Sequence, residues 1–295
     1  MQLTILEQLT YYGLKLFSFF VRLFPRKISN FFGMVLGQLI WLIIPIRKNV
    51  AKQNLKIAFP EKPENEINQI VRKCYQHFGM VLMDLFRTPN FKNKNIQNIV
   101  DIDSSDLELL TQESGGIIIT GHIGNWELML PIFGINHIPL SVVVQFQRNK
   151  GAQKFFNEIR QFHGSNTILK GIESKVLLNE IQNGKYLGLA SDQNAGKKGV
   201  MVPFFGKDTS IPKGAGVFKL KSKAPMFFCY CIADENRKYK LFVEKLGNEF
   251  EQIESKNKVE EICKLIASDL ENIIRKYPEQ YFWFHRKWPK KIYKK

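Results

Sequence analysis

The sequence predicts an α/β fold, a largely parallel central sheet flanked by helices, preceded by an N-terminal hydrophobic membrane-anchor helix or helical hairpin. Three observations predict it. Short β-rich runs alternate with helical patterns over the later two-thirds of the chain, residues 31–46 (FFGMVLGQLIWLIIPI) carry no charge, and 295 residues are enough to bury a substantial core.

The N-terminal segment divides at residue 60 from the rest. Residues 1–60 read as membrane anchor and basic connector, and 61–295 as one α/β domain, with Phe59-Pro60-Glu61-Lys62-Pro63 as the turn between them. The uncharged stretch of sixteen residues would reach only about 24 Å as a helix, short of a hydrocarbon core of roughly 30 Å. The segment is therefore expected either as one span or as a hairpin lying in the interface, with a buried core helix as the alternative.

Beyond the turn, Ile67, Ile70, Val71, Tyr75, Phe78, Val81, Leu82 and Leu85 recur at helical spacing. Strands are expected at 117–120, 141–144, 186–190, 226–230 and 238–246, and helices around 126–134, 151–163, 172–183 and 213–222. A last amphipathic helix, 259–274, would bury Ile262, Ile266, Leu270 and Ile273.

Charge narrows the partners. The chain carries 43 Lys and Arg against 27 Asp and Glu, a formal charge of +16, and residues 1–60 hold eight basic residues against the single acid Glu7. Beside so much apolar sequence, this suits an anionic membrane surface better than nucleic acid, for which no zinc-finger or RNA-recognition signature is present. Cys74, Cys229, Cys231 and Cys263 lack metal or redox spacing, no cleavable secretory signal is apparent, and no Gly-rich nucleotide loop occurs, so neither metal nor nucleotide cofactor is expected.

Chemistry is expected where the first long strand ends, in Thr120-Gly121-His122-Ile123-Gly124-Asn125-Trp126-Glu127. Gly121 and Gly124 permit a tight strand-to-helix turn, Asn125 can cap the helix, and Glu127 falls in its first turn. Glu127 would then accept the Nδ1 proton of His122 and leave Nε2 free as a base. No Ser or Cys stands in a nucleophile-elbow pattern, so direct attack by an outside hydroxyl is expected.

The wider string GHIGNWE resembles the H-x4-D/E signature of the glycerolipid acyltransferase superfamily, in particular its bacterial lipid A acyltransferase branch. Asn54-Leu55-Lys56-Ile57-Ala58-Phe59-Pro60, Leu189-Ala190-Ser191-Asp192-Gln193, Val202-Pro203-Phe204-Phe205-Gly206 and Tyr281-Phe282-Trp283-Phe284-His285-Arg286-Lys287-Trp288 are similar to further blocks of that branch, in the same order. The resemblance implies transfer of a fatty acyl chain from an acyl-carrier-protein thioester to a hydroxyl of a membrane lipid acceptor, a lipid A precursor, at the bacterial inner membrane with the catalytic domain facing the cytoplasm. It assigns catalysis to His122, Glu127, Arg160 and Asp192, with Arg148 as a nearer rival for the arginine. Asn125, Arg148, Gln193 and Lys213 are the expected substrate contacts. The family's tyrosine-arginine-proline stretch appears here as Phe146-Gln147-Arg148-Asn149, which opens the acceptor to a lysophospholipid, an aminolipid or another glycolipid. A lipid-binding membrane protein without chemistry is the rival from another class.

Overall fold

A computed structural model describes residues 3–44, 46–247 and 256–293. Among them, seven strands form one sheet: β1 (Val100–Asp101), β2 (Gly116–Thr120), β3 (Leu140–Val144), β4 (Asn166–Leu169), β5 (Tyr186–Ala190), β8 (Met226–Ala233) and β9 (Tyr239–Leu246), in the order β1-β9-β8-β2-β5-β3-β4. A separate hairpin, β6 (Val200–Phe204) and β7 (Lys207–Ile211), precedes β8. Neighbours in the large sheet run parallel except β8 and β9, so the expected architecture holds.

The central strand shows why. Gly116–Thr120 is buried at every position, the continuous apolar run that a parallel strand covered on both faces requires. Ile117 and Ile119 point into one core with Leu187, Met226 and Phe228. Ile118 points into the other with Tyr186, Phe227 and Cys229, as period-two alternation dictates. Helices α3 (Lys48–Ala58), α4 (Glu64–Phe86), α9 (Ser174–Gln182), α10 (Gly214–Ser222) and α11 (Lys258–Lys276) contribute to the first core. The second is closed by α5 (Asn93–Ile96), α6 (Ser104–Thr111) and α7 (Met129–Ile135). Helix α8 (Lys150–Gln161) lies against the N-terminal helix α1 (Ile5–Leu23). All four cysteines are buried free thiols.

The N-terminal segment folds as α1, a corner at Phe24-Pro25, and α2 (Arg26–Ile43). Helix α2 is pressed backbone to backbone onto α4: a Cβ added to Gly37 would stand 2.0 Å from Tyr75 O, and one on Gly79 2.0 Å from Gly33 O. Buried Arg87 fastens the corner, donating to Val21 O (2.5 Å), Phe24 O (2.6 Å) and Ser29 Oγ (2.9 Å). Arg26 makes a two-pronged bond with Asp84 of α4, at 2.8 and 2.9 Å.

Among the described residues no single helix is long and apolar enough to cross a bilayer, and α2 meets that test only together with α3, as a bent pair. The structure therefore does not confirm the expected anchor as a spanning segment. The physical reason is in the sequence of α2, which opens on Arg26, Lys27, Ser29 and Asn30 and ends at Ile43, so its apolar part is short; its glycine stripe serves α4. The opposite faces nonetheless leave large apolar side chains in the open, among them Leu9, Tyr12, Leu16, Phe20 and Leu23 of α1 and Phe31, Leu39, Leu42 and Ile43 of α2.

Candidate active site

Strand register creates the site. Thr120 of β2 pairs with Ala190 of β5, and Ser191 N donates to Thr120 O at 2.9 Å. The residues two places beyond each strand end, His122 and Asp192, are thereby brought side by side past the carboxyl edge of the sheet, where open α/β sheets bind ligands. His122 Nδ1 lies 2.8 Å from Asp192 Oδ1, and the Asp192 side chain is only 2% exposed.

The turn that carries His122 is clamped along its length. Gly124 adopts φ +58°, and a Cβ there would fall 1.9 Å from Cys231 O, so only glycine fits. Gly124 N donates to Gln280 O (2.9 Å), Asn125 N to Cys231 O (2.8 Å) and Phe282 N to His122 O (2.9 Å). His77 of α4 places Nε2 3.0 Å from Gly124 O. A single 3-10 turn, Trp126–Leu128, follows and leads into α7. The Trp126 ring meets the imidazole edge to face, with centroids 4.9 Å apart.

Glu127 is not the partner of His122 Nδ1, which corrects the expected pairing. Its carboxylate accepts two bonds from Arg160 at the end of α8, from Nε at 3.0 Å and from a terminal nitrogen at 2.6 Å. The β2–β5 register supplies Asp192 to Nδ1, and the turn directs Glu127 across to α8. The four residues assigned to catalysis thus form two adjoining pairs, His122 with Asp192 and Glu127 with Arg160.

Charge follows from this arrangement. Burial opposes charging of His122, but the Asp192 carboxylate outweighs it by charge and hydrogen bond, aided by Glu127, and raises the imidazole pKa above its ordinary value. Burial likewise works against ionised Asp192, yet His122 and the Lys287 ammonium hold its carboxyl well below the usual carboxylate range. Burial also lowers Arg160, but Glu127 prevails and raises it. The Tyr281 side chain is hydrogen-bonded to Asp192, and Lys287 Nζ donates to the Asp192 carbonyl.

An apolar cavity of about 280 Å³ opens beside the two pairs. Register orders its lining by depth. Thr120 and Ala190 lie nearest His122, then Ile118, Gly188 and Val142 abreast on three strands, then Leu140, with buried Tyr186 paired behind it. Met129, Leu130 and Phe133 of α7 form the facing wall, and His122, Glu127, Gln147 and Arg160 supply the polar part.

The remaining expected substrate contacts separate. Gln193 Nε2 stands 3.3 Å from His122 Nε2, within the site. Asn125 is wholly buried and directs Nδ2 to Asp84 Oδ2 at 3.3 Å, so it braces the turn rather than meeting substrate, and its side chain makes no cap bond. Arg148 is exposed after β3 and does not line the cavity, whereas Arg160 does. Lys213 is exposed at the start of α10 and is likewise outside the cavity lining. Sequence reasoning missed His77, Asp84, Tyr281 and Lys287. The last two fall in the quoted block 281–288, whose resemblance to the family was the available signal. Among the described residues no group of three or more His, Cys, Asp or Glu is placed to hold a metal ion.

Residues 2–290 match the family of bacterial lipid A biosynthesis acyltransferases. The chain is 23% identical over 285 residues to the lipid A biosynthesis palmitoleoyltransferase of Escherichia coli, covering 95% of this chain and 90% of the relative. Identity to the lauroyltransferase of that organism is 22% over 291 residues, with the same coverage. A phosphatidylinositol mannoside acyltransferase of Mycolicibacterium smegmatis is 22% identical over 186 residues, 61% of each chain. The chain belongs to the bacterial lipid A biosynthesis acyltransferase family, and it is an acyltransferase acting on a lipid acceptor.

Proposed function

We propose that this enzyme moves a fatty acyl chain from an acyl-carrier-protein thioester to a hydroxyl of a lipid A precursor, with His122 as general base. The observation that carries the reading is the His122–Asp192 pair beside an apolar cavity. Asp192 accepts the Nδ1 proton, so the Nε2 lone pair is available, and the acceptor hydroxyl takes the place of the Gln193 amide there. As the hydroxyl oxygen bonds to the thioester carbonyl carbon, its proton passes to Nε2 and the carbonyl oxygen becomes an oxyanion. Arg160 is charged, held by Glu127 and part of the cavity lining, which suits it to stabilise that oxyanion. Collapse breaks the carbon–sulfur bond, and the imidazolium returns its proton to the thiolate, leaving an ester and a free thiol.

The acyl chain of the donor occupies the cavity between the sheet and α7. The outward apolar faces of α1 and α2 seat the enzyme in the interface of the bacterial inner membrane, with the catalytic domain on the cytoplasmic side. The exposed basic residues Lys15, Lys27, Arg47 and Lys56 face its anionic lipids, while Arg26 is taken up by Asp84. This keeps the interfacial hairpin and makes residues 1–60 a docking element for the domain that follows. A second acceptor class, another glycolipid, is favoured by the similarity to the mannoside acyltransferase and by the altered Phe146-Gln147-Arg148-Asn149 loop.

The test is mass spectrometry of lipids after purified enzyme meets acyl-carrier-protein thioesters with a lipid A precursor, a phosphatidylinositol mannoside and a lysophospholipid. Mass gain on the glucosamine lipid is expected. Gain on either other acceptor alone would move the substrate, and absence of any gain from folded protein would overturn the reading.

A further inference from the structure

The mechanism above makes no use of Lys287, although its ammonium is among the most thoroughly enclosed charges described: the residue is 2% exposed. Its Nζ donates to the Asp192 carbonyl and lies 4.2 Å from the centroid of the Phe204 ring. Its own carbonyl accepts from Asn194 Nδ2 at 2.7 Å and from the Thr209 hydroxyl, while Asn194 N donates to His285 Nε2 at 3.2 Å. The segment 281–287 thus wraps the loop that presents Asp192.

A buried cation needs a compensating anion. Asp192 is the carboxylate that these contacts bring to it. The other titratable groups around it are His122 beyond β2, Tyr281 and His285 of its own segment, and Tyr293, which accepts from Trp288 N at 3.1 Å. The β6–β7 hairpin contributes the uncharged Phe204 and Thr209.

The second cation matters because of what Asp192 and His122 would do alone. A carboxylate and an imidazole enclosed together favour the ion pair, in which the histidine already carries its second proton and can accept none. A buried positive charge close to the carboxylate stabilises the anion without that proton, and it penalises the imidazolium.

We propose that Lys287 is a positioning residue for acyl transfer: its buried ammonium keeps Asp192 an ionised acceptor for Nδ1 and opposes early protonation of His122, so that Nε2 can take the proton of the acceptor. The proposal rests on the reading of His122 as the base.

The test is the pH dependence of kcat/KM for wild type, Lys287→Met and Lys287→Arg. The Met variant is expected to move the ascending limb up by about one pH unit or more, losing roughly tenfold at neutral pH and recovering at higher pH. Lys287→Arg keeps the charge and is expected to keep the limb. An unmoved limb in folded Lys287→Met protein, or a loss uniform across pH, would overturn the proposal. Turnover by His122→Ala would overturn the underlying base assignment instead. Should the Met variant not fold, ¹⁵N NMR of wild type decides. Burial brings Lys287 down to about 8, so the His122 ring signals should show a second inflection near there. A single-step titration would overturn the coupling.

Discussion

Replacing Asp192 by asparagine separates the observed dyad from the local histidine–glutamate pair that the motif suggests. The change removes a charge-assisted bond of 2.8 Å from a side chain 2% exposed. Breaking one partner of a buried pair costs about 3–5 kcal/mol. On the proposed mechanism most of that loss falls on the transition state, where the neutral imidazole becomes imidazolium. At about 1.4 kcal/mol per factor of ten, kcat should fall roughly 10²- to 10⁴-fold with little change in KM. The amide also offers an N–H to Nδ1, which favours the tautomer with the proton on Nε2. Glu127→Gln should act through Arg160 and cost less, about 10- to 100-fold, since one of the two bonds from Arg160 can persist. The sign of the pH effect follows from the charges. Asp192 raises the His122 pKa, so in Asp192→Asn the ascending limb should move to lower pH even as the plateau drops. Glu127 contributes in the same direction but after Asp192, so its variant should move the limb less. Initial rates of acyl transfer between about pH 5 and 9 measure both. Near-wild-type kcat in Asp192→Asn, together with loss of turnover and the larger limb shift in Glu127→Gln, would refute the reasoning.

Other consequences follow from the cavity, the outer helices and a buried histidine. A Cβ on Gly188 would fall 2.9 Å from Val142 Cγ1 and 3.4 Å from Leu140 Cδ1, so Gly188→Ala should shorten the preferred donor by roughly two to five carbons, the span of one ~6.6 Å strand layer. An unchanged donor preference would remove the acyl chain from that cavity. Leu16, Phe20 and Leu39 are 57%, 51% and 45% exposed. Changing all three to Glu should weaken sedimentation with anionic vesicles by about a hundredfold, at about 1 kcal/mol of lost apolar burial each, with the thermal midpoint little changed. Equal sedimentation would place the membrane contact elsewhere. Burial holds His77 down to about 4, so the unfolded chain, with the ordinary value of 6.5, binds the proton first as pH falls. Stability from this group is therefore present above about 6.5 and is lost towards 4. Between pH 7 and 5 it should fall by about 2 kcal/mol more in wild type than in His77→Gln, as read by denaturant titration. Equal losses would contradict the sign.

The fold was legible because β2, β3, β5 and β8 each carry a dense apolar run, and the helices between them show helical spacing. The edge strand Asn166–Leu169 escaped notice because it is four residues long and begins with polar side chains. The β6–β7 hairpin was visible only as a motif block. His122, Arg160 and Asp192 could be named, but their pairing could not. The H-x4-E spacing drew attention to a carboxylate five residues away, while the acid that meets Nδ1 comes from 70 residues downstream through the Thr120–Ala190 register. Asn125 went astray for a related reason: a polar residue in a motif was assigned to substrate, whereas Asp84 of α4 claims it. In the N-terminal segment, the sixteen uncharged residues concealed a glycine stripe at Gly33 and Gly37, and that stripe turns α2 towards α4.

The central claim is that His122, oriented by Asp192, takes the proton of a lipid hydroxyl during acyl transfer. Single-turnover acyl transfer by wild type and His122→Ala, followed by mass spectrometry of the lipid on folded protein, tests it most directly. The account predicts transfer by wild type and none above background by the alanine variant. Comparable single-turnover rates from the two would contradict it.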